Sequence, residues 1–243
     1  ITGSNGKTVV KEWLYQLLSP ERIITRSPRS YNSQIGVPLS VWLLNETTEL
    51  GIFEAGISEM GEMEALQSII RPTVGVLTNI GGAHQENFYS VPDKCMEKLT
   101  LFKECDVVIY DGDNELISSC VGKSLFGARE IAWSKTDNER PLYISSIEKG
   151  ETSTTIRYRY LGMPNEYTIP FIDDASIENS LHCLAVCLYM MLPAEKITER
   201  MAHLEPIAMR LEVKEGKNGC VLINDSYNSD LASLDIALDF MSR

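Results

Sequence analysis

Short apolar runs of strand type alternate with stretches of helical spacing in the first half of the chain, and this alternation most constrains the fold. Strand-type runs cover residues 51–55, 74–79 and 106–110, whereas apolar residues at helical spacing cover 8–18 and 60–70. A repeated order of strand, loop and helix is typical of domains in which helices cover a largely parallel sheet. The sequence therefore predicts an α/β fold with a mostly parallel sheet flanked by helices.

The pattern changes between residues 130 and 170. Residues of β type alternate there, as in Thr154–Tyr160, and Gly150 and Gly162 mark turns. Alternation bounded by turn residues is typical of hairpin strands. We therefore expect an antiparallel add-on to the sheet, followed by a strongly apolar helix over residues 177–192.

A domain boundary is expected near Pro206. Beyond it, residues 219–225 form an apolar run of strand type, and residues 231–241 have helical spacing. One strand and one helix bury too little surface to form a core by themselves. We therefore predict a central domain over residues 1–206 and the beginning of a Rossmann-like C-terminal domain over residues 207–243.

The most informative stretch is the glycine-containing segment TGSNGKT at residues 2–8. Glycines allow successive backbone N–H groups to point at a phosphate, and a helix that follows adds the positive end of its dipole. In such a loop Lys7 would contact the β- and γ-phosphates, and the Thr8 hydroxyl would bind Mg²⁺. The segment predicts a P-loop-type ATP site, whose members are Gly3, Ser4, Asn5, Gly6, Lys7 and Thr8.

Charge and cysteine content argue against several other classes. The chain has 22 Lys and Arg residues against 34 Asp and Glu residues, a formal charge of −12. General nucleic-acid binding depends on basic residues that neutralise phosphates, so we expect none. The six cysteines show no zinc spacing, no apolar run is long enough to cross a bilayer, and the first residues carry no export signal. A cytoplasmic protein without membrane insertion is expected.

Several motifs together carry a family resemblance. Besides TGSNGKT, the chain contains NSQIGVP at 32–38, FEAG at 53–56 with GEM at 61–63, TNIGGAH at 78–84 and DSYN at 225–228. This set resembles the Mur ligases, which build the peptide of bacterial peptidoglycan, and their relative folylpolyglutamate synthase. The GEM and NIGGAH segments are most similar to the branch that joins D-alanyl-D-alanine to a UDP-linked muramoyl tripeptide.

The resemblance implies an ATP-dependent amide-bond ligase that works through an acyl phosphate. Its substrates would be small molecules, a UDP-muramoyl peptide and D-alanyl-D-alanine, and its role would be peptidoglycan synthesis. The N-terminal domain that grips the UDP sugar in this family is not expected within these residues. We expect a monomeric ligase unit, which in some family members belongs to a longer fused chain.

The resemblance also implies two Mg²⁺ ions. One is expected to involve a carbamate, which forms when a neutral lysine amine reacts with CO₂ and which offers an anionic oxygen ligand. Lys98 matches the family's reactive lysine, and Lys94 is the alternative. The expected metal ligands are Thr8, Glu54, His84 and Lys98. The residues expected to act in catalysis are Lys7, Lys98 and His84.

Further nucleotide contacts are implied towards the end of the chain. Asn179 would contact the adenine or ribose of ATP, and Arg210 would reach the phosphates with its bidentate guanidinium. Asp225, Tyr227 and Asn228 would arrive from the C-terminal domain as it closes.

Alternative interpretations stay open at this point. Gly6 can belong to an ordinary turn, Glu54 can be a surface acid, and Lys98 can be a solvated helix lysine. Asp111 and Asp113 resemble an acidic segment of the family, but turn chemistry also favours Asp-Gly there. Another Mur ligase or a folylpolyglutamate synthase-like enzyme is one functional alternative, and a nucleotide-binding module that does not catalyse is another.

Overall fold

The computed structural model describes residues 1–81, 85–124, 127–208 and 212–224, together with Leu234, Ala237, Leu238 and Met241. The chain divides into two compact units, Ile1–His203 and Leu204–Arg243. In the described part of the chain, no helix combines the length and the apolar character that a membrane span requires.

The first unit has the predicted alternation of strands and helices. Three-residue or longer elements follow one another in this order: α1 Lys7–Leu18, β1 Ile24–Arg26, α2 Gly36–Val41, β2 Leu50–Ile52, α3 Glu62–Ile70, β3 Val74–Val76, α4 Val91–Leu99, β4 Val107–Asp111, α5 Glu115–Ser124, β5 Arg129–Ser134, β6 Leu142–Lys149, β7 Thr154–Tyr160, β8 Met163–Ile169, α6 Asp174–Tyr189 and α7 Ala194–Met201. Short 3₁₀ turns cover Gln85–Asn87 and Thr100–Phe102.

Residues 1 and 2 lie between β2 and β3. The backbone nitrogen of Ile1 donates to the Phe53 carbonyl at 2.8 Å, and Ala55 N donates to the Ile1 carbonyl at 2.9 Å. On the other side, Thr2 N donates to the Val76 carbonyl at 2.9 Å. These bonds join the parallel pair β1–β2 to the six-stranded sheet that begins with β3. The loop that follows residue 2 therefore starts at the carboxyl edge of a parallel sheet, where α/β proteins bind ligands.

The six-stranded sheet has the order β3-β4-β5-β6-β7-β8. Strands β3, β4, β5 and β6 pair in parallel with one another, and the β6–β7 and β7–β8 pairs are antiparallel. The predicted α/β fold with an antiparallel add-on is confirmed, but the add-on begins at β6 and not at residue 130, because β5 is parallel to both of its neighbours. Only Trp133 and Ser134 of β5 pair with β6, so the loop at residues 135–141 suffices for a parallel connection.

Apolar side chains cover both faces of the sheet. In β4, Val108 and Tyr110 belong to the core formed with α3, α4 and α5. Val107 and Ile109 are equally buried and point to the opposite face, because side chains alternate along a strand. Helices α1 and α6 pack against each other, and α6 contacts β4. Cys183 and Cys187 of α6 are buried free thiols, as their helical spacing predicted.

The second unit is described in part. Strand β9 (Glu212–Glu215) pairs antiparallel with β10 (Val221–Asn224), and Val221 lies opposite Glu215. The strand predicted at 219–225 is present as β10, but it is not the first strand of this unit, because β9 precedes it. The assignment of residues 207–243 to a Rossmann-like domain stays a prediction.

Candidate functional site

The loop between residue 2 and α1 has a backbone that requires glycine at two positions. Gly3 has φ +146° and Gly6 has φ +81°, a region that side chains disfavour. A Cβ atom on Gly3 would collide with Oγ1 of Thr78, and one on Gly6 would collide with the amide of Asn179. The loop is therefore shaped by close contacts as well as by its own turn.

The turn after β3 holds this loop in place. The backbone N–H groups of Ser4 and Asn5 donate to Asn79, to its carbonyl and to its Oδ1, each at 2.9 Å. Thr78 Oγ1 donates to the Asn5 carbonyl at 2.6 Å, and Gly81 N donates to Ser4 Oγ at 2.8 Å. The TNIG segment therefore supports the TGSNGKT segment. Sequence reasoning assigned no role to Asn79, although the residue lies within a recognised motif.

Lys7 and Thr8 begin α1 directly behind the loop. Lys7 Nζ donates to the carbonyls of Gly3 and Ser4 at 2.9 and 3.0 Å, so its ammonium lies over the loop. Thr8 Oγ1 donates to Glu54 Oε2 at 3.0 Å and lies 2.9 Å from Ser30 Oγ. The P-loop hydroxyl and the acid that follows β2 are thus in direct contact.

Glu54 is fully buried and has a partner that the sequence analysis missed. Lys11, also fully buried, places Nζ 2.9 Å from Glu54 Oε1. A lysine one turn after Lys7 on an amphipathic helix is by default a solvated residue. Apart from this spacing, nothing in the sequence indicated that Lys11 is buried. Hydroxyl and carboxylate oxygens are the ligands that Mg²⁺ prefers, and Thr8 with Glu54 offers both.

Two lysines of α4 point towards the same loop. Ser90 caps α4 by accepting a hydrogen bond from Asp93 N at 3.2 Å, which sets the start of the helix. Lys98 Nζ donates to the Gly3 carbonyl at 3.2 Å, and Lys94 Nζ donates to the Gly81 carbonyl at 2.6 Å. Both candidate carbamate lysines are therefore buried one helical turn apart, Lys98 at the glycine loop and Lys94 at the turn after β3.

The pKa values of both amines are lowered by burial. Burial, with smaller contributions from the charges of Lys7 and Lys94, lowers the pKa of Lys98 from 10.5 to about 7. Burial also lowers the pKa of Lys94. Lys98 is the amine that lies against the loop beside Lys7, and its neutral form is accessible near neutral pH.

Helix α6 contributes two residues next to the glycine loop, Asn179 beside Gly6 and His182 beside Thr78. The indole N–H of Trp133 only donates, so His182 Nδ1 accepts its hydrogen bond at 3.2 Å. Nε2 then carries the proton and donates to the Thr78 carbonyl at 2.9 Å. Burial lowers the pKa of His182 to about 4, so this imidazole is a neutral support for the turn. Sequence reasoning did not single it out.

The acidic pair in the YDGD segment lies at the end of β4 and in the turn that follows it. Asp113 accepts hydrogen bonds from Lys135 N and Thr136 Oγ1, each at 2.7 Å, and thereby holds the loop after β5. Asp111 is half-buried, and burial raises its pKa. Burial, followed by the charge of Asp111, also raises the pKa of Glu178. Asp113 is accounted for by loop structure, and Asp111 Oδ1 accepts the backbone N–H of Asp113 at 3.0 Å, which is a turn contact of the kind that Asp-Gly segments favour.

The described residues bring together Lys7, Thr8, Glu54, Lys98 and Asn179 around one loop. Five other predicted site residues lie outside the described residues: His84, Arg210, Asp225, Tyr227 and Asn228. Their roles, like the metal and nucleotide roles of the described group, stay predictions.

Comparison with known proteins identifies the family. The family model "Mur ligase middle domain" matches residues 1–187. The chain is 31% identical over 245 residues to the UDP-N-acetylmuramoyl-tripeptide--D-alanyl-D-alanine ligase of Bacillus subtilis, with 98% of this chain and 51% of that protein covered. It is 30% identical over 234 residues to the ligase of the same name from Borreliella burgdorferi, with 96% and 50% covered.

Solved structures show the same fold. MurF from Acinetobacter baumannii superposes with a TM-score of 0.87 at 22% identity, over 98% of this chain and 52% of that one. MurF ligase from Thermotoga maritima in complex with ADP superposes with a TM-score of 0.85 at 23% identity, over 100% and 56%. The chain spans about half the length of the curated relatives it matches. Because the middle-domain match covers most of its residues, the chain belongs to the Mur ligase family.

Proposed function

We propose that this chain is the ATP-binding part of a peptidoglycan ligase that joins D-alanyl-D-alanine to UDP-N-acetylmuramoyl tripeptide. The names of the two curated relatives at 30% identity or above support the substrates. The observation that carries the proposal within this chain is the contact of Thr8 Oγ1 with Glu54 Oε2 at 3.0 Å, directly behind a glycine loop.

The reaction requires an activated carboxylate, because carboxylate oxygen is a poor leaving group. A carboxylate oxygen of the muramoyl peptide attacks the γ-phosphorus of ATP, and ADP leaves. The amine of D-alanyl-D-alanine then attacks the acyl carbon, a tetrahedral intermediate forms, and phosphate leaves with the new C–N bond in place. Phosphoryl transfer depends mainly on the positions of the reactants and on neutralisation of the phosphate charges. The residues around the glycine loop of this chain would contribute to both.

Lys7 and the loop amides would neutralise the phosphates. The Lys7 ammonium lies over the carbonyls of Gly3 and Ser4 and would exchange these contacts for phosphate oxygens. The N-terminus of α1 adds the positive end of a helix dipole at the same place. The Thr78–Asn79 turn accepts the N–H groups of Ser4 and Asn5 and so fixes the shape of the loop before ATP arrives, which leaves little ordering for the binding step.

The residues present fit a magnesium ion. Thr8 Oγ1 and Glu54 Oε2 are neighbouring hard oxygen donors, and Ser30 Oγ lies within 2.9 Å of the threonine hydroxyl. In the described residues no cluster of three or more His, Cys, Asp or Glu side chains is arranged for a metal, so phosphate and water oxygens would fill the remaining positions, as is usual for this ion. When bound, Mg²⁺ would neutralise charge on the transferring phosphoryl group.

Lys98 would supply an anionic ligand for a second Mg²⁺. Its neutral amine attacks the carbon of CO₂, an N–C bond forms, and a proton leaves to water, which yields a carbamate. Burial makes the neutral amine accessible, and the same burial protects the product from solvent. His84 is the proposed partner ligand, and Asn179, Arg210, Asp225 and Asn228 are the proposed further ATP contacts.

The proposed setting follows from the same reasoning. A cytoplasmic, monomeric ligase that handles small molecules agrees with the family, and the charge of −12 disfavours nucleic-acid partners. The two small substrates are common to the curated relatives by name.

The test is an acceptor panel with the purified full-length protein. ADP release from ATP is measured with three sets of substrates. They are UDP-N-acetylmuramoyl tripeptide plus D-alanyl-D-alanine, UDP-N-acetylmuramoyl tripeptide plus single amino acids, and a folate plus glutamate. We expect release with the first pair alone. Turnover with a folate, or none with D-alanyl-D-alanine, would contradict the proposal.

A matched pair of variants separates catalysis from simple nucleotide binding. Lys7→Met is expected to reduce ligation at least 100-fold, because it removes the cation nearest the phosphates. Lys103→Met removes a lysine that pairs with Glu64 on the surface and is expected to leave the rate unchanged. Equal rates for both variants would point to a protein that does not use this loop for chemistry.

A further inference from the structure

Lys11 is an unusual lysine because its ammonium is enclosed by oxygen atoms inside the first unit. Its Nζ donates to the Ser27 carbonyl at 2.8 Å and to the Arg29 carbonyl. It also lies 3.0 Å from Glu12 Oε1 and 2.9 Å from Glu54 Oε1. A buried ammonium is costly unless its charge and its hydrogen bonds are matched. Here two carbonyls accept its hydrogen bonds, and two carboxylates balance its charge; Glu54 Oε1 does so as an ion pair without a hydrogen bond.

The two oxygens of Glu54 have different partners. Oε1 faces Lys11, whereas Oε2 accepts hydrogen bonds from Thr8 Oγ1 at 3.0 Å and from Asn32 Nδ2 at 3.4 Å. The backbone N–H of Glu54 is also fixed, by Ser27 Oγ at 3.2 Å. Lys11 and Thr8 are three residues apart on α1 and therefore share one helix face. One helix thus contacts both oxygens of the carboxylate, Oε2 through a hydrogen bond and Oε1 through an ion pair.

We propose that Lys11 is a positioning residue that restrains Oε1 of Glu54 and leaves Oε2 as the oxygen offered to Mg²⁺ beside Thr8. The inference rests on the proposed function, in which Glu54 is a magnesium ligand. Lys11 does not touch the nucleotide in this account. It acts through Glu54, as residues behind a metal ligand commonly do by orienting it.

Stability alone gives little reason for this ion pair. An apolar pair of similar volume in place of a buried ion pair is often neutral or stabilising. The position of the pair directly behind the P-loop threonine instead favours a use in orienting the carboxylate. Glu12, the second carboxylate at Lys11, is partly exposed and is shared with Arg26 at 3.0 Å, so it does not replace Glu54 in this arrangement.

The test measures magnesium dependence without measuring turnover. The thermal midpoint of the full-length protein is followed against Mg²⁺ concentration at a fixed concentration of the non-hydrolysable ATP analogue AMP-PNP. Lys11→Met is expected to raise the half-saturating Mg²⁺ concentration about 10-fold or more, the usual effect of removing a group behind a metal ligand. Glu12→Gln, which removes the other carboxylate from Lys11, is the matched control and is expected to match the wild type.

A second variant keeps the test decisive if Lys11→Met does not fold. Lys11→Gln lacks the charge but still donates hydrogen bonds to the Ser27 carbonyl, and the same direction of change is expected. A folded Lys11 variant with the wild-type Mg²⁺ dependence would overturn the inference. A shift for Glu12→Gln equal to that for Lys11→Met would also overturn it, because the effect would then not depend on Glu54.

Glu54→Gln separates this inference from the proposed function. If Glu54→Gln raises the half-saturating Mg²⁺ concentration and the Lys11 variants do not, the magnesium site stands and the positioning role fails. If Glu54→Gln leaves the Mg²⁺ dependence unchanged, Glu54 is not a ligand, and both proposals fail. If both substitutions raise it and the double variant Lys11→Met/Glu54→Gln adds nothing to Glu54→Gln alone, the inference is supported.

Discussion

The first prediction is that Lys98 forms a carbamate with CO₂ far more readily than an ordinary lysine does. Because its pKa is lowered to about 7, about half of the molecules should hold a neutral amine at pH 7. An ordinary lysine, with a pKa near 10.4, is neutral in roughly one molecule in 2,500 at that pH. The reactive form of Lys98 is therefore enriched about 1,000-fold, and carbamate formation should concentrate at this residue.

The assay is ¹³C NMR of the full-length protein equilibrated with ¹³C-bicarbonate. We expect one protein carbamate signal at pH 7.5 that decreases as the pH falls through 7 towards 5.5, because the amine becomes protonated. Lys98→Gln should remove the signal, and Lys103→Gln, at a surface lysine, should retain it. A carbamate that survives in Lys98→Gln, or that is absent from the wild type at every pH, would refute the reasoning; loss in Lys94→Gln alone would move the role to Lys94.

Three further predictions concern the supports of the site. Gly6→Ala should abolish AMP-PNP binding in calorimetry, because its Cβ would collide with the side-chain amide of Asn179. Gly61→Ala is the control and should bind normally, since Gly61 has a similar φ of +87° but no atom near its Cβ position. Equal binding by the two variants would contradict the steric argument. The pKa of His182 is about 4 in the fold and near 6.5 when unfolded, so only the unfolded chain is protonated between these values. The free energy of unfolding should therefore fall by about 3 kcal/mol as the pH decreases from 6.5 to 4; His182→Gln should flatten this dependence in urea titrations, and an unchanged slope would be the contrary result. Glu97 accepts two backbone N–H groups at the start of α3 at 2.9 and 3.0 Å, so Glu97→Ala should cost about 2 kcal/mol of unfolding free energy, and a cost below about 0.5 kcal/mol would contradict that role.

Local patterns were sufficient for the parts of the fold that depend on local periodicity. The amphipathic spacing of α1 and the apolar runs of β3 and β4 predicted those elements and the α/β class, because one buried face leaves a period in the sequence. The parallel pairing of β5 with β6 was missed. These strands pair only where β5 ends and β6 begins, through Trp133 with Leu142 and Ser134 with Tyr143. No local sequence pattern indicates so short a pairing.

The candidate site divides in the same way. Lys7, Thr8 and Glu54 were predicted because glycine loops and strand ends are local signals. Lys11 was missed because its burial depends on carbonyls from the segment after β1 and on a carboxylate after β2. His182 was missed because its partners, Trp133 and Thr78, are 49 and 104 residues away in the chain. Residues that act through long-range contacts leave no spacing to detect.

The central claim is that the glycine loop and the acid after β2 hold one nucleotide with its magnesium. A crystal structure of the full-length protein with AMP-PNP and Mg²⁺ tests it most directly. We predict the triphosphate at the amides of the Gly3–Thr8 loop, with Lys7 on its phosphates and a metal about 2.1 Å from Thr8 Oγ1 and from one oxygen of Glu54. A nucleotide bound away from this loop, or a metal that Glu54 does not contact, would contradict the account.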